Sequence, residues 1–311
     1  MKKTMINQTH IEGYLYEHAL EVKVTGENSK NPGTEFISGN IEIATDNEGL
    51  NIVPVHFTYV TALTSKGKPN ATYNVLKAII DGTHGSVMKD GKDGAAKFRI
   101  DSAIGLNEWF TDRNGQEELV SVKRNEGGFV HVVADVNEDE KVRNTFELDM
   151  IITGTRMIEA DPERDLPEKL VVKGATFNFR NDLLPIELSV VNPHAINYFE
   201  SLDASNSNPI FTKVKGRQVS ETVVKKVEEE SAFGESSIRE IRNTRKDFVI
   251  TWAQKEPYVW DDEQTITAAE LKNCMSARET ALAAMKARQD EYKASKTGAS
   301  KVTPAAGGFN F

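Results

Sequence analysis

Three cationic residues alternate along one segment in the second half of the chain: Lys213, Lys215 and Arg217. In a β-strand, residues two positions apart project from the same face, and three cations on one face are not expected in a core. Such a stripe is suited to contact a phosphate backbone. The alternative is an ordinary solvated strand face. A second basic cluster leads toward Trp252 and comprises Arg239, Arg242, Arg245 and Lys246.

Aromatic residues near cations supply the other half of this chemistry, because the bases of a single strand stack on aromatic rings. Alternation places Phe98 opposite to Arg99, so we predict that Phe98 is a core residue, whereas Trp109 beside a polar turn is either core or a stacking platform. Phe129 is a further candidate in the first half of the chain. The predicted nucleic-acid-binding residues are Tyr59, Arg99, Trp109, Phe110, Arg113, Lys123, Arg124, Phe177, Phe179, Arg180, Lys213, Lys215, Arg217, Arg242, Arg245, Lys246 and Trp252.

Catalytic and metal-dependent chemistries lack their characteristic residues. The glycine-rich segments do not end in the Gly-Lys-Ser/Thr of a phosphate-binding loop, and the six histidines have no metal-ligand spacing. Asp135 opens a segment that begins like a calcium loop, but Phe146 stands where the bidentate glutamate is needed. We therefore predict a protein that is not an enzyme and has no cofactor and no metal.

Composition limits how such a protein can bind a polyanion. The net charge of -9 over 311 residues argues against binding through the whole surface, so a local cationic groove is required. No apolar run approaches the roughly 20 residues of a membrane span, and the first residues lack the apolar core of a secretory signal. With a single cysteine, Cys274, the chain is expected to be cytoplasmic.

The chain contains the same order of elements twice. Strands are predicted over residues 11–25, 35–45, 51–61, 96–110 and 118–134, with a helix over 71–81 between the third and fourth strands. The second set covers 146–159, 169–180, 183–191, 209–222 and 246–253, with a helix over 195–202. Both third strands open with a proline, Pro54 and Pro185. Residues 88–94 are expected to form a mobile loop.

Five strands with a helix between the third and fourth resemble the OB-fold, a five-stranded barrel that binds oligonucleotides. Together with Gly13, the segment 107–115 (NEWFTDRNG) and a terminal Phe311, the chain resembles the tandem OB-fold single-stranded DNA-binding proteins of bacteriophages, over about residues 11–253. The resemblance implies a mainly β fold with two consecutive OB-fold-like barrels, and sequence-tolerant binding of single-stranded DNA in replication or recombination. The alternative function is a virion or scaffold protein whose barrels make only protein contacts.

The C-terminal part changes character. Thr267 and Glu270 form a capping box, and Leu271, Met275, Leu282 and Met285 recur at helical spacing. The predicted domains are barrels over residues 1–140 and 141–260, an amphipathic helix over 261–295 and a flexible tail over 296–311. The apolar stripe of the helix must pack on a barrel or on another copy of the chain, which would make a homo-oligomer. Phe309 and Phe311 resemble the tip by which such proteins bind replication or recombination partners, although the usual acidic stretch before the tip is missing.

Overall fold

The computed structural model describes residues 5–113, 115–161, 166–229, 237–259 and 266–299, which form a mainly β protein. Its first half contains β1 (Asn7–Val24), β2 (Glu35–Ala44), β3 (Ile52–Thr61), α1 (Ala71–Ile80), α2 (Val87–Gly94), β4 (Lys97–Arg113) and β5 (Gln116–Val132). A short 3₁₀ turn (Glu140–Val142) then leads into β6 (Asn144–Ile158), β7 (Lys169–Phe177), β8 (Leu183–Val190), α3 (Pro193–Ser201), β9 (Ile210–Glu229), β10 (Ser237–Ala253) and α4 (Ala268–Ala299). No helix among the described residues is long and apolar enough to cross a membrane.

The strands of each half close into a ring. In the first ring β1 pairs with β2, β2 with β3, β3 with β5, β5 with β4, and β4 again with β1; the β3–β5 pairing is parallel and the others are antiparallel. The second ring repeats this order with β6, β7, β8, β10 and β9, and its β8–β10 pairing is the parallel one. Pro54 and Pro185 lie in the corresponding third strands, β3 and β8.

Each ring encloses apolar side chains. The first core contains Ile11, Val55 and Phe57 with α1 residues such as Leu76. Phe98 belongs to this core and is fully buried, which confirms the prediction from strand alternation. The second ring has one cluster around Leu148 and Phe199 of α3, and a further cluster around Phe177 and Phe211 packs against Leu271 of α4. Burial of these strand faces is the main source of stability of both rings.

The two rings share one sheet because β1 is bordered by strands from both. Its first residues pair with β4 on one side and with β6 on the other, so that Thr9 lies opposite both Ser102 and Phe146. Side chains add buried polar contacts across the boundary: Asn125 and Gln218 exchange amide hydrogen bonds of 2.8 and 2.9 Å. The predicted domain boundaries stay a prediction, since the β1–β6 ladder continues the sheet through the division.

Two helical segments differ from the sequence predictions in part. Residues 88–94 are not a loop but most of α2, which contains a break at Gly91, where φ is 73°. The helix α4 begins directly after Thr267 of the predicted capping box, in which the backbone N–H of Glu270 donates to the Thr267 hydroxyl and that of Thr267 donates to the Glu270 carboxylate. Leu271, Leu282 and Met285 are half-buried as predicted, but Met275 is exposed.

Candidate nucleic-acid interface

A groove runs across the sheet where the two rings join. Its volume is about 1300 Å³. From β5 it crosses β4, β1, β6 and β9 to β10, which is five steps between neighbouring strands. At ~4.8 Å per step this path measures about 24 Å along the sheet. The groove therefore has room for an extended chain-like ligand lying across the strands.

Exposed aromatic rings lie at the two ends of the groove. Phe129 on β5 is 70% exposed and Trp252 on β10 is 47% exposed. Apolar rings of this size are usually buried in monomeric proteins, whereas these two are exposed on a concave surface. Trp252 also lines a second cavity of about 520 Å³ between β10 and α3. These two rings are the groove's candidate stacking platforms.

A β-bulge stands beside each of these aromatic residues. On β5 the register shifts by one residue at Gly127 and Gly128, next to the pairing of Phe129 with Asp101. Gly128 has φ of 117°, and a Cβ there would lie 2.3 Å from the carbonyl oxygen of Asp101, so only glycine fits. On β10 the register shifts between Ile250 and Trp252. A bulge changes the side to which the following residues point, and both bulges turn an aromatic ring toward the groove.

The predicted cationic stripe is present, but one carboxylate neutralises part of it. Glu147 on β6 accepts from Lys213 Nζ at 3.2 Å and from Lys215 Nζ at 2.9 Å. Burial raises the pKa of Glu147, but the hydrogen bonds from Lys215 and Lys213 outweigh burial and hold this pKa below its usual value. Glu147 is therefore ionised at neutral pH. Lys215 also lies over the Trp252 ring, 5.4 Å from its centroid.

Within the described part of the chain, Arg217 is the member of the stripe with the fewest side-chain partners. Its side chain lines the groove, and its Nε is buried without a hydrogen-bond partner among the described residues. A buried Nε–H that lacks an acceptor is costly, and the guanidinium has four further N–H groups that can donate to an anionic oxygen in the groove. Arg217 is thus the best-placed candidate to contact a phosphate.

The other end of the groove carries a carboxylate. Asp101 on β4 lies directly opposite Phe129 of β5 on one side and His10 of β1 on the other. Its Oδ1 accepts a hydrogen bond from His10 Nδ1 at 3.2 Å. Its Oδ2 lies 3.7 Å from Arg99 Nε and 4.0 Å from His131 Nε2, which is beyond hydrogen-bond distance. Among the described residues, Oδ2 therefore forms an ion pair with Arg99 but accepts no hydrogen bond.

Of the residues predicted from sequence, the structure brings three into the groove: Lys215, Arg217 and Trp252. Lys213 and Arg99 do not line the groove themselves but form ion pairs with residues that do: Lys213 with Glu147, and Arg99 with Asp101. Phe129, a candidate in the first half of the chain, also lines it. Sequence reasoning did not single out the remaining lining residues, among them Gln8, His10, Asp101, Lys141, Thr145 and Glu147.

A second group of predicted residues lies on the β4–β5 hairpin, which extends beyond the first ring toward α4 and the second ring. The backbone N–H of Phe110 donates to the side-chain Oε1 of Gln289 on α4, whose Nε2 donates to the Phe110 carbonyl oxygen, and Lys286 lies over the Phe110 ring. Lys123 donates to the carbonyl oxygen of Glu187 and lies 5.3 Å from the centre of the Phe248 ring. Burial lowers the pKa of Lys123. Phe110 thus connects the β4–β5 hairpin to α4, and Lys123 connects it to β8 and β10.

The other hairpin residues have separate positions. Trp109 is 38% exposed, so its side chain is neither buried in a core nor fully open as a stacking platform. Arg113 is exposed near the tip of the hairpin, 3.8 Å from Glu118. Arg124 forms an ion pair of 2.9 Å with Glu126. None of these three lines the groove.

The remaining predicted residues lie elsewhere. The prediction that Phe177 binds nucleic acid is wrong. Its side chain is 1% exposed in the core of the second ring and is unavailable to a ligand. Tyr59 packs on Phe36, with ring centroids 4.6 Å apart. Phe179 follows the end of β7 and is 83% exposed beside Arg180.

The second basic cluster is described only in part. Arg245 is half-buried on β10. Lys246 is exposed near Glu42, whose pKa is raised by burial and by Glu17 and lowered by Lys246. The side chain of Arg242, and Phe309 and Phe311 of the predicted tail, lie outside the described residues.

Comparison with known proteins identifies a family. No curated protein matches the chain significantly. The model of the YorF family matches residues 6–288, which span both rings and most of α4. Because this match covers most of the chain, the protein belongs to the YorF family.

Proposed function

We propose that this protein binds single-stranded DNA without strong dependence on sequence, through the groove between its two rings. We interpret the rings as two consecutive OB-type barrels. The support is their pairing order, in which the third and fifth strands are parallel neighbours and helices stand between the third and fourth strands. This arrangement is that of a five-stranded Greek-key barrel, a fold that commonly binds oligonucleotides across its strands.

The observation that carries the proposal is the pair of exposed aromatic rings, Phe129 and Trp252, at opposite ends of one groove with Lys215 and Arg217 between them. Binding of a single strand needs rings on which bases stack and cations that follow the phosphates. The rings come from β5 and β10, and the cations come from β9. At the ~3.4 Å spacing of a stacked strand, a path of about 24 Å accepts about seven nucleotides.

The local charge of the groove is compatible with this function although the protein is acidic overall. Its lining contains three cations (Lys141, Lys215 and Arg217) and two carboxylates (Asp101 and Glu147), a difference of one positive charge. Binding should therefore depend on salt only moderately. If the three cations each contact a phosphate, the logarithm of the association constant should fall with the logarithm of salt concentration with a slope of about −2.

We further propose that the protein acts in DNA replication or recombination of a bacteriophage, with no catalytic activity of its own. Residues 309–311 are the proposed contact with replication or recombination proteins. This part of the proposal rests on the resemblance to tandem OB-fold proteins and on the terminal phenylalanines of the sequence.

Alanine substitution of the groove aromatics tests the proposal. Phe129→Ala and Trp252→Ala should each weaken binding of a fluorescently labelled oligo(dT) by about 1–3 kcal/mol, the usual contribution of one stacked base. Phe179→Ala is the matched control, because Phe179 is also an exposed phenylalanine but lies outside the groove. Its affinity should equal that of the wild type. Fluorescence anisotropy measures binding, and circular dichroism checks that each variant is folded.

The same titration separates the proposal from its alternative. A virion or scaffold protein that makes only protein contacts would not bind the oligonucleotide even at low salt, where phosphate contacts are strongest. Absence of binding by the folded wild-type protein would therefore refute the proposed function. Equal losses in all three variants would show that binding does not use the groove.

A further inference from the structure

We propose that Phe129 and Asp101 form a base subsite that favours cytosine over bases with a carbonyl group at the same ring position. This inference rests on the proposed function and concerns the selectivity of that groove. The two residues are direct partners across the β4–β5 strand pair, so their Cβ atoms are about 5 Å apart on one face of the sheet. A base stacked on the Phe129 ring therefore presents an edge to the Asp101 carboxylate.

The charge of Asp101 determines which part of a nucleotide faces it. A carboxylate repels phosphate, so the phosphates of a bound strand should lie away from Asp101. The base is then the part that reaches the Asp101 end. Asp101 is half-exposed and His10 occupies only its Oδ1. Its Oδ2 forms an ion pair with Arg99, whose Nε lies 3.7 Å away, but it accepts no hydrogen bond among the described residues and remains available to a donor.

An ionised carboxylate accepts hydrogen bonds and donates none. Cytosine carries an amino group that can donate to a carboxylate, an established pairing in nucleic-acid recognition. Uracil and thymine carry a carbonyl oxygen at that position, which would face the carboxylate as a second acceptor. The subsite thus distinguishes the two kinds of pyrimidine by attraction to one and repulsion of the other.

The bulge at Gly127 and Gly128 holds this pair in place. It turns Phe129 toward the same side as Asp101, and Gly128 lies against the carbonyl of Asp101 so closely that a larger residue would displace the strand. His10 fixes one carboxylate oxygen from the neighbouring strand β1. The subsite is therefore formed by three adjacent strands and does not depend on a loop.

The test compares oligo(dC) with oligo(dU) of equal length, because these bases share one ring and differ in the amino or carbonyl group at position 4 and in the proton on N3. We expect the wild-type protein to bind oligo(dC) about three- to tenfold more tightly in fluorescence anisotropy, which corresponds to one hydrogen bond to a charged acceptor. Asp101→Asn should bring this ratio close to one, because the amide both donates and accepts. The affinity of the variant for oligo(dU) should not fall.

Asp81→Asn is the matched control for the loss of one negative charge. Asp81 has the same exposure as Asp101, 52% against 50%, but pairs with Lys77 on α1 outside the groove. Its ratio of oligo(dC) to oligo(dU) affinity should equal that of the wild type. Phe129→Ala should lower both affinities and also abolish the ratio.

Two results would overturn the inference while leaving the proposed function intact: equal wild-type affinities for the two oligonucleotides, or a preference for oligo(dC) that survives Asp101→Asn. If the folded protein binds neither oligonucleotide, the proposed function fails and the base subsite fails with it.

Discussion

Glu147→Gln should strengthen DNA binding, although it breaks two ion pairs. Glu147 holds Lys213 and Lys215 at 3.2 and 2.9 Å. Glutamine keeps the shape of the side chain and removes its charge. Since ion pairing holds the pKa of Glu147 below its usual value, a full negative charge is removed at pH 7. The groove lining then changes from one net positive charge to two.

The size of the effect follows from the geometry. Glu147 lies 2.9 Å from Lys215 Nζ, and a phosphate oxygen bound to that Nζ would lie about 2.8 Å further away, which puts the two negative groups about 6 Å apart. Their repulsion is about 0.7–1.4 kcal/mol for an effective dielectric constant between ~80 and ~40. Removing it should increase the affinity about three- to tenfold. The salt dependence should become steeper, because the released lysines become available to phosphates.

The variant should lose little stability. Exposed and half-exposed ion pairs contribute up to about 1 kcal/mol, and the three side chains here are between 23% and 47% exposed. Because the pKa of Glu147 is lowered on folding, this stabilisation is present above the pKa of the unfolded carboxyl and is lost as pH falls through the folded value. At pH 7 the difference between wild type and variant should therefore be fully developed.

The assay is fluorescence anisotropy with labelled oligo(dT) at several salt concentrations, accompanied by thermal unfolding. Glu187→Gln is the control: Glu187 pairs with Lys173 at 3.7 Å outside the groove, and its loss changes the total charge equally. An unchanged or lower affinity in a folded Glu147→Gln protein would refute this account of the groove. An equal gain in Glu187→Gln would show that only the total charge matters.

Two further predictions concern residues away from the groove. Lys123→Met should leave oligonucleotide affinity unchanged and the free energy of unfolding equal or higher. The reason is that burial disfavours the charged form of Lys123, whose side chain lies over the Phe248 ring. A several-fold loss of affinity in anisotropy titrations would show that Lys123 belongs to the interface. Tyr258→Phe should lower the free energy of unfolding in urea by about 1.5–3 kcal/mol, since the Tyr258 hydroxyl donates to the buried Asp149 carboxylate at 3.1 Å. Burial and Asp149 raise the pKa of Tyr258 to about 12, so the hydroxyl keeps its proton over the usual range of pH. Tyr59→Phe, on an exposed ring, should cost much less, and equal costs in the two variants would contradict the role of this hydrogen bond.

Much of the secondary structure was predictable because its determinants are local. Alternating apolar residues define most strands, as around Phe98, since one face of a ring strand must be buried. Pro54 and Pro185, each the third residue of its strand (β3 and β8), identified the repeat. The capping box of Thr267 and Glu270 identified the beginning of α4 because both hydrogen bonds lie within one turn. By contrast, α2 was missed because two of its eight residues are glycine, Gly91 and Gly94, in a segment typical of loops.

The sequence by itself therefore determined a mainly β chain with a repeated order of strands, an alternating cationic stripe and a C-terminal helix. Only the tertiary structure decided which side chains share a groove. Phe129 and Trp252 are brought to one surface because β1 pairs with both β4 and β6, and a bulge beside each ring determines its side. Strand alternation cannot anticipate a one-residue bulge, which reverses the side of every following residue. Nor does any local pattern reveal that Glu147 neutralises two lysines more than 60 positions away, because their proximity depends on the pairing of β6 with β9.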